Sequence, residues 1–369
     1  MSAVLSRPPI DLRMAEGMLT FIDGAEDRQI WLAVGMALKS EYGDTAFASW
    51  DSWSQGAANY SAPACRSSWR GFKARASGYT MGTLIKFAKD GGYRFDRDDA
   101  PKPDLADMAR RRAERAARVA AEVAERDRRA ASAEDRALDE WRAAERTGTS
   151  AYAERKGIDA PESVRFLPAG QGGGLLVPML RYDLPREQSL KGLQIIKDDG
   201  SKKFTPGMAK VGTACRLGLP VVGEPVFVVE GYATGMTVRM AMARRYPVYV
   251  AFDAYNLPSV VETIYQALPT CPIIICADDD WHTTGPGGLP NNVGRVQAQI
   301  AMDAVMEPRG PKDPGARLVV RTFPLFRKET ARGPKDSDFN DLQRLEGLAE
   351  VTTQLETCLE GIDALRAYG

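Results

Sequence analysis

The chain has 369 residues, 44% of them hydrophobic and 27% charged, with 49 basic and 49 acidic side chains in balance. That length leaves room for two or three domains of ordinary soluble composition. Zero net charge excludes a protein-wide basic footprint for nucleic acid, so such binding must use local patches. The lack of a signal peptide and of any apolar run near 18 residues argues against a membrane partner and predicts a cytoplasmic location.

Residues 8–96 read as a small helical unit. Four of the six tryptophans lie there, Trp31, Trp50, Trp53 and Trp69. Ile30, Val34, Met36, Ala37 and Leu38 form a helical stripe ahead of Gly43, and Thr83, Leu84, Phe87 and Ala88 form a second before Gly91-Gly92. Arg66, Arg70, Lys73 and Arg75 are candidates for contact with DNA or a partner. The tryptophans themselves are expected mostly in a core.

Residues 97–146 are rich in alanine, arginine and glutamate, all strong helix formers. Their hydrophobic periodicity is poor, which predicts a solvated helical linker. Residues 147–221 read as an α+β subdomain with strands at Gly174–Leu180 and Leu193–Ile196. A turn at Asp198–Ser201 leads into a basic stretch. Lys197, Lys202, Lys203 and Lys210 are its candidate nucleotide or template ligands, with Arg181 and Lys191 behind them.

From 222 to the end, apolar strands alternate with helical stretches, the pattern of a parallel sheet. Each strand closes on acid. Glu230 follows Pro225–Val229, Asp253 follows Val248–Phe252, and Asp278-Asp279-Asp280 follow Ile273–Ala277. Carboxylates at the C-terminal ends of parallel strands face the crevice where open α/β sheets bind ligands. Massed there, they need cations, and hard oxygen ligands suit Mg²⁺ or Mn²⁺. Glycines and prolines then make residues 281–292 a loop carrying His282, the only histidine. Arg295, at the start of the next helix, could meet phosphate. Asp338, Asn340 and Asp341 precede a last helix, Leu342–Leu365, and serve either as its cap or as outer ligands. The five cysteines show no zinc-ligand spacing.

These motifs stand as Val-Val-Glu-Gly-Tyr-Ala-Thr-Gly at 228–235, Val-Ala-Phe-Asp-Ala-Tyr-Asn-Leu at 250–257 and Ile-Cys-Ala-Asp-Asp-Asp at 275–280. With them, residues 222–305 resemble the Toprim domain of DNA primases of plasmid and phage type. The N-terminal unit resembles the primase C-terminal type 2 module. The resemblance implies an α/β Toprim core with a parallel, Rossmann-like sheet, occupying 222–369. Ahead of it come the α+β subdomain and a separate, mostly helical N-terminal domain joined by a long helix. It implies Glu230, Asp278 and Asp280 as catalytic metal ligands, with Asp253 a fourth from its strand end. Asp279 should point the other way.

The implied activity is template-directed synthesis of short RNA primers from nucleoside triphosphates on single-stranded DNA by two-metal nucleotidyl transfer. A separate replicative helicase is an admissible partner, since the chain has no P-loop motif. A zinc ribbon, usual in replicative primases, is not seen. Two other readings stay open: a metal-dependent Toprim nuclease, and a non-catalytic nucleic-acid-binding protein.

Overall fold

The computed structural model describes residues 10–72, 78–95, 105–168, 170, 172–285, 288, 291–306, 318–327 and 329–368. The chain forms two compact units, Met1–Asp127 and Arg128–Gly369.

The first unit holds helices α1 (Leu12–Leu19), α2 (Arg28–Tyr42), α3 (Phe47–Ser54), α4 (Ala62–Gly71) and α5 (Met81–Asp90), and the first part of α6 (Leu105–Ala143). Asp11, Asp27 and Ser61 cap α1, α2 and α4 with side-chain oxygens that accept amide hydrogen bonds. Trp50 is fully buried and packs against Trp31, Trp69 and Phe72 at centroid distances of 4.5, 5.4 and 5.3 Å. Gly35 on α2 makes room for it: a Cβ there would sit 2.7 Å from the Trp50 ring. The indole N–H groups donate to Ser54, Trp31, Ile22 and Asp44. The tryptophans therefore build a satisfied core. Arg66 and Arg70 are exposed on α4. Lys73 and Arg75 lie outside the described residues.

The second unit contains two sheets. The first is antiparallel, in the order β1 (Arg165–Phe166), β2 (Gly174–Leu180), β3 (Leu190–Lys197) and β4 (Lys202–Phe204), with α7 (Ala151–Arg155) beside it. The end of α6 packs here. Ala133 and Ala137 are fully buried, and Ala137 and Trp141 cluster with Leu176, Leu193 and Ile195. Glu134 pairs with Lys191 at 3.0 Å. This differs from the solvated linker expected over 97–146. An alanine face is small enough to lie flat on a sheet, yet it scores weakly as hydrophobic periodicity.

The second sheet has the order β5 (Cys215–Leu217), β7 (Val248–Val250), β6 (Val226–Val229), β8 (Ile273–Cys276) and β9 (Val319–Thr322). All its strands are parallel except β5, which runs antiparallel on the edge. Residue 215 thus belongs to this sheet rather than to the subdomain assigned to 147–221. Helices α8 (Tyr232–Ala241), α9 (Leu257–Ala267) and α10 (Val293–Met306) follow β6, β7 and β8 in chain order. Phe227, Val229, Ile274 and Cys276 pack with α8 and the C-terminal helices, while Val226, Val228, Ile273 and Ile275 pack with α9 and α10. Covering both faces explains why the strands read as unbroken apolar runs. The single last helix expected from Leu342 is two, α11 (Phe339–Glu346) and α12 (Leu348–Tyr368). They break at Gly347, whose φ of +94° lies outside the helical region.

Among the described residues, no helix is long and apolar enough to cross a membrane.

Candidate active site

Register places the acids. Val229 pairs with Val250 on one side and Cys276 on the other, so β6, β7 and β8 end together. Glu230 and the Asp278 segment therefore leave the same edge from adjacent strands. The Asp278 amide donates to Glu230 Oε1 at 3.4 Å. Gly294, in the first turn of α10, closes over both. Its amide donates to Asp280 Oδ2 at 2.9 Å. A Cβ there would lie 2.3 Å from the Asp278 carbonyl oxygen and 2.9 Å from Glu230 Oε1. Only glycine allows this approach. Its requirement was not read from the sequence, which shows only a glycine at the second position of a helix.

Two further acids join from α11. Asp338 caps the helix: Oδ1 accepts from the Asp341 amide at 2.8 Å and Oδ2 from Thr234 Oγ1 at 3.0 Å. Asp341 is buried and accepts from the Ser337 amide at 3.1 Å, with Lys156 Nζ at 3.7 Å. Capping and membership of the acidic group are thus compatible roles.

The group is electrostatically crowded. Burial pushes the Glu230 carboxyl up to about 7; the Asp278 amide opposes that rise, and Asp280 and Asp338 add to it. Asp278 is held well above the usual carboxylate range by burial first, then by repulsion from Glu230, Asp338, Asp280 and Asp341. Its Oδ1 is buried without a hydrogen-bond partner. Among the described residues, no three His, Cys, Asp or Glu side chains already surround one point as metal ligands. The acids share a field rather than a finished cage. A buried, unpartnered carboxylate oxygen among like charges is nonetheless the donor chemistry a hard divalent cation satisfies.

Asp279 does turn away. Its carboxylate pairs with Arg295 Nε at 2.7 Å and Arg332 Nη1 at 3.1 Å, and accepts from Asn292 Nδ2 at 2.6 Å. Arg295 is consequently engaged: its guanidinium lies over the Phe323 ring at 3.5 Å. The residue expected to meet phosphate thus already has an acidic partner. Asp253, expected as a fourth ligand, is also engaged. It pairs with Lys210 and accepts from the Asn256 amide at 3.0 Å. It is not among the groups that raise Glu230 or Asp278. His282 is exposed and its ring leans against that of Trp281.

The four lysines do not share one face. Lys202 pairs across the sheet with Ile196, and Lys203 with Ile195. Ile196 belongs to the core against the parallel sheet, Ile195 to the cluster under α6. Strand alternation therefore sends Lys202 toward the acids and Lys203, with Lys197, to the other side. Partial desolvation lowers the Lys202 ammonium, Lys156 adds to that, and Asp338, Asp278 and Asp341 oppose it. Lys210 lies over the Phe204 ring at 4.3 Å and reaches Asp253. Residues not foreseen complete the basic wall. Tyr152, Arg155, Lys156, Lys202 and Arg344 line a cavity of about 310 Å³, in which four cations face one acid, Asp199.

Comparison with known proteins bears on both units. Residues 15–88 match the family model Primase C terminal 2 (PriCT-2). DNA primase TraC of Escherichia coli is 32% identical over 237 residues, which is 63% of this chain and 20% of that protein. A second DNA primase TraC of Escherichia coli is 30% identical over 188 residues, 50% of this chain and 12% of that one. The chain thus spans a fifth or less of the length of these relatives. The solved DnaG primase catalytic domain bound to single-stranded DNA aligns with 63% of this chain and 82% of its own, at 14% identity and a TM-score of 0.38. The primase fragment of the bacteriophage T7 primase-helicase protein aligns with 55% and 68%, at 14% identity and a TM-score of 0.35. The resemblance to DNA primases is therefore carried twice, by a primase-associated family match within the helical unit and by 32% identity to one DNA primase over 237 residues.

Proposed function

We propose that the second unit is a Toprim-type catalytic core and that the protein is a DNA primase, a nucleotidyltransferase making short RNA primers on single-stranded DNA. One observation carries this most strongly. Glu230, Asp278 and Asp280 gather at the C-terminal ends of adjacent parallel strands, with an unpartnered Asp278 oxygen buried among like charges. Such a group is costly unless a cation neutralises it.

Glu230, Asp278 and Asp280 would hold Mg²⁺ or Mn²⁺, which when bound supplies charge neutralisation for the attacking and leaving oxygens of phosphoryl transfer. The chain's own groups then divide the work. The Gly294 amide fixes Asp280, and Asp338 orders α11 while adding negative field. Lys202 and Arg155 give a triphosphate cations on its outer side, flanked by Lys156 and Arg344, which also pair with Asp341. A template strand, nucleoside triphosphates and, as a further partner, a separate helicase belong to the same proposal.

The test is incubation with single-stranded DNA, labelled nucleoside triphosphates and Mg²⁺. Short labelled products support primer synthesis. Shortened DNA would instead make the same carboxylates those of a nuclease, and neither product would leave a binding protein.

A further inference from the structure

Trp281 follows the carboxylate group directly, yet 44% of its surface is exposed. Such exposure is unusual for so large an apolar ring, which ordinarily packs in a core or an interface. It is not on a slack loop. Its amide donates to the Asp279 carbonyl at 2.7 Å. Thr283 returns to the Asp280 carbonyl through its amide at 3.1 Å and its hydroxyl at 2.9 Å. Asn292 ties the Asp280 amide and the Asp279 carboxylate together. The bonds that fix Asp280 therefore also fix Trp281.

Behind the indole is a built support. The Arg332 guanidinium lies 4.9 Å from the Trp281 ring centroid and 4.3 Å from that of Phe326. Arg332 cannot drift, because it pairs with Asp279 Oδ2 at 3.1 Å and donates to the Asp279 and Asp336 carbonyls at 3.0 and 2.8 Å. The His282 ring leans against the indole, with centroids 4.2 Å apart and planes inclined by 46°. The result is an indole backed by a guanidinium and exposed beside carboxylates.

We propose that Trp281, with His282 beside it, is a stacking platform for a nucleobase of the substrate at the mouth of the carboxylate site. The proposal rests on the reading of that site as one that handles nucleic acid. Its chemistry is π-stacking, which every base offers and which is sequence-tolerant. The middle aspartate of the triplet thereby acquires a role of its own. Through Arg332 it holds the platform while its neighbours face the substrate.

The test separates base from phosphate and does not need turnover. Binding of a short fluorescein-labelled oligodeoxynucleotide is compared with that of an abasic oligonucleotide of equal length, in EDTA. Binding of ATP is compared with that of inorganic triphosphate. Trp281→Ala should cut the advantage of the base-bearing ligand about tenfold in one pair, which identifies the occupant as template or as nucleotide. Trp281→Phe should keep most of that advantage, and the salt slope should not change, since no phosphate contact is lost. An undiminished advantage in both pairs for Trp281→Ala, or for His282→Ala and Trp281→Leu should the first variant misfold, overturns the platform. Retained base discrimination in a protein that makes no primers would leave the platform standing and sink the primase reading instead.

Discussion

The two sheets of the second unit carry opposite charge by opposite rules. In the parallel sheet, β6 and β8 run side by side in one direction and end in register, so Glu230 and Asp278 reach one edge whatever their side chains do. In the antiparallel sheet, β4 presents successive lysines to opposite faces, so Lys202 and Lys203 part company although they are adjacent in sequence. Chain direction concentrates charge in one case and pleating divides it in the other. A site built on strand ends is robust to small errors of boundary; a site built on strand faces changes with a single residue of register.

The strongest way to break this comparison is at the strand ends. Asp278→Ala with Asp280→Ala should lower primer synthesis by at least about 10³-fold. Circular dichroism should report an intact fold, because the change removes mutual repulsion. Asp253→Asn, at the end of the neighbouring β7 but paired with Lys210, should retain activity within a few fold. Equal losses in the two variants, measured by primer yield on a gel, would show that strand-end position alone decides and that the Lys210 pair is irrelevant.

The same crowding has a pH signature. Glu230 holds its proton more tightly folded than unfolded, with its value raised from 4.5 to about 7. Between those values the folded state binds more protons, so stability falls as pH rises. The contribution is fully present below pH 4.5 and is lost through about pH 7, on the order of 3 kcal/mol for this group. Asp278 and Asp341 are raised as well and act in the same direction. Urea melts in EDTA should therefore show the second unit weakening from about pH 5 to about pH 8. Glu230→Gln should flatten that slope, and millimolar Mg²⁺ should restore stability more at the alkaline end than at the acid end. A flat profile for the unsubstituted protein would remove the electrostatic case for a cation site.

Gly294 tests whether the edge must also be closed. An alanine there would press into the Asp278 carbonyl and Glu230 Oε1, so α10 has to shift. Misplacement by about 1 Å can cost about 10²-fold in rate. Gly294→Ala should lose activity on that scale while its melting temperature moves by only a few degrees. Activity within a few fold of the unsubstituted protein would mean the site tolerates an open edge.

Legibility in the sequence follows the same divide. The parallel strands, their acids and the alternating helices were readable because burial on both faces leaves continuous apolar runs with a sharp polar end. Asp279 turning from its neighbours was readable from alternation. Asp253 was not, because only the fold brings Lys210, 43 residues away, onto it. The partner of Arg295 was hidden for a related reason: Asp279 lies in a loop whose path the sequence leaves open. The end of α6 hid its packing behind alanines. The edge strand β5, with three residues, was too short to declare itself. Arg155, Lys156 and Arg344 gather only through tertiary packing, from α7 and α11, beside Lys202.

The smallest effect sharpens the comparison most, since it opposes two adjacent residues of one type. Lys202 lies on the Ile196 face, lines the cavity with Lys156 and Arg344, and feels Asp338, Asp278 and Asp341. Lys203, exposed like Lys202, is on the Ile195 face and lines none of that wall. Lys202→Ala should weaken nucleotide or template engagement about tenfold and reduce the salt slope by about one, as expected for one lost phosphate contact. Lys203→Ala should stay within about twofold, the usual range of an exposed substitution. Competition binding over a salt series measures both. Equal effects would mean that the ligand wraps both faces of β4, so that pleating no longer sorts the lysines. Should Lys203→Ala prove the more damaging, the ligand would lie on the α6 side of the sheet, and the basic cavity beside the acids would lose its role as the outer wall of the site.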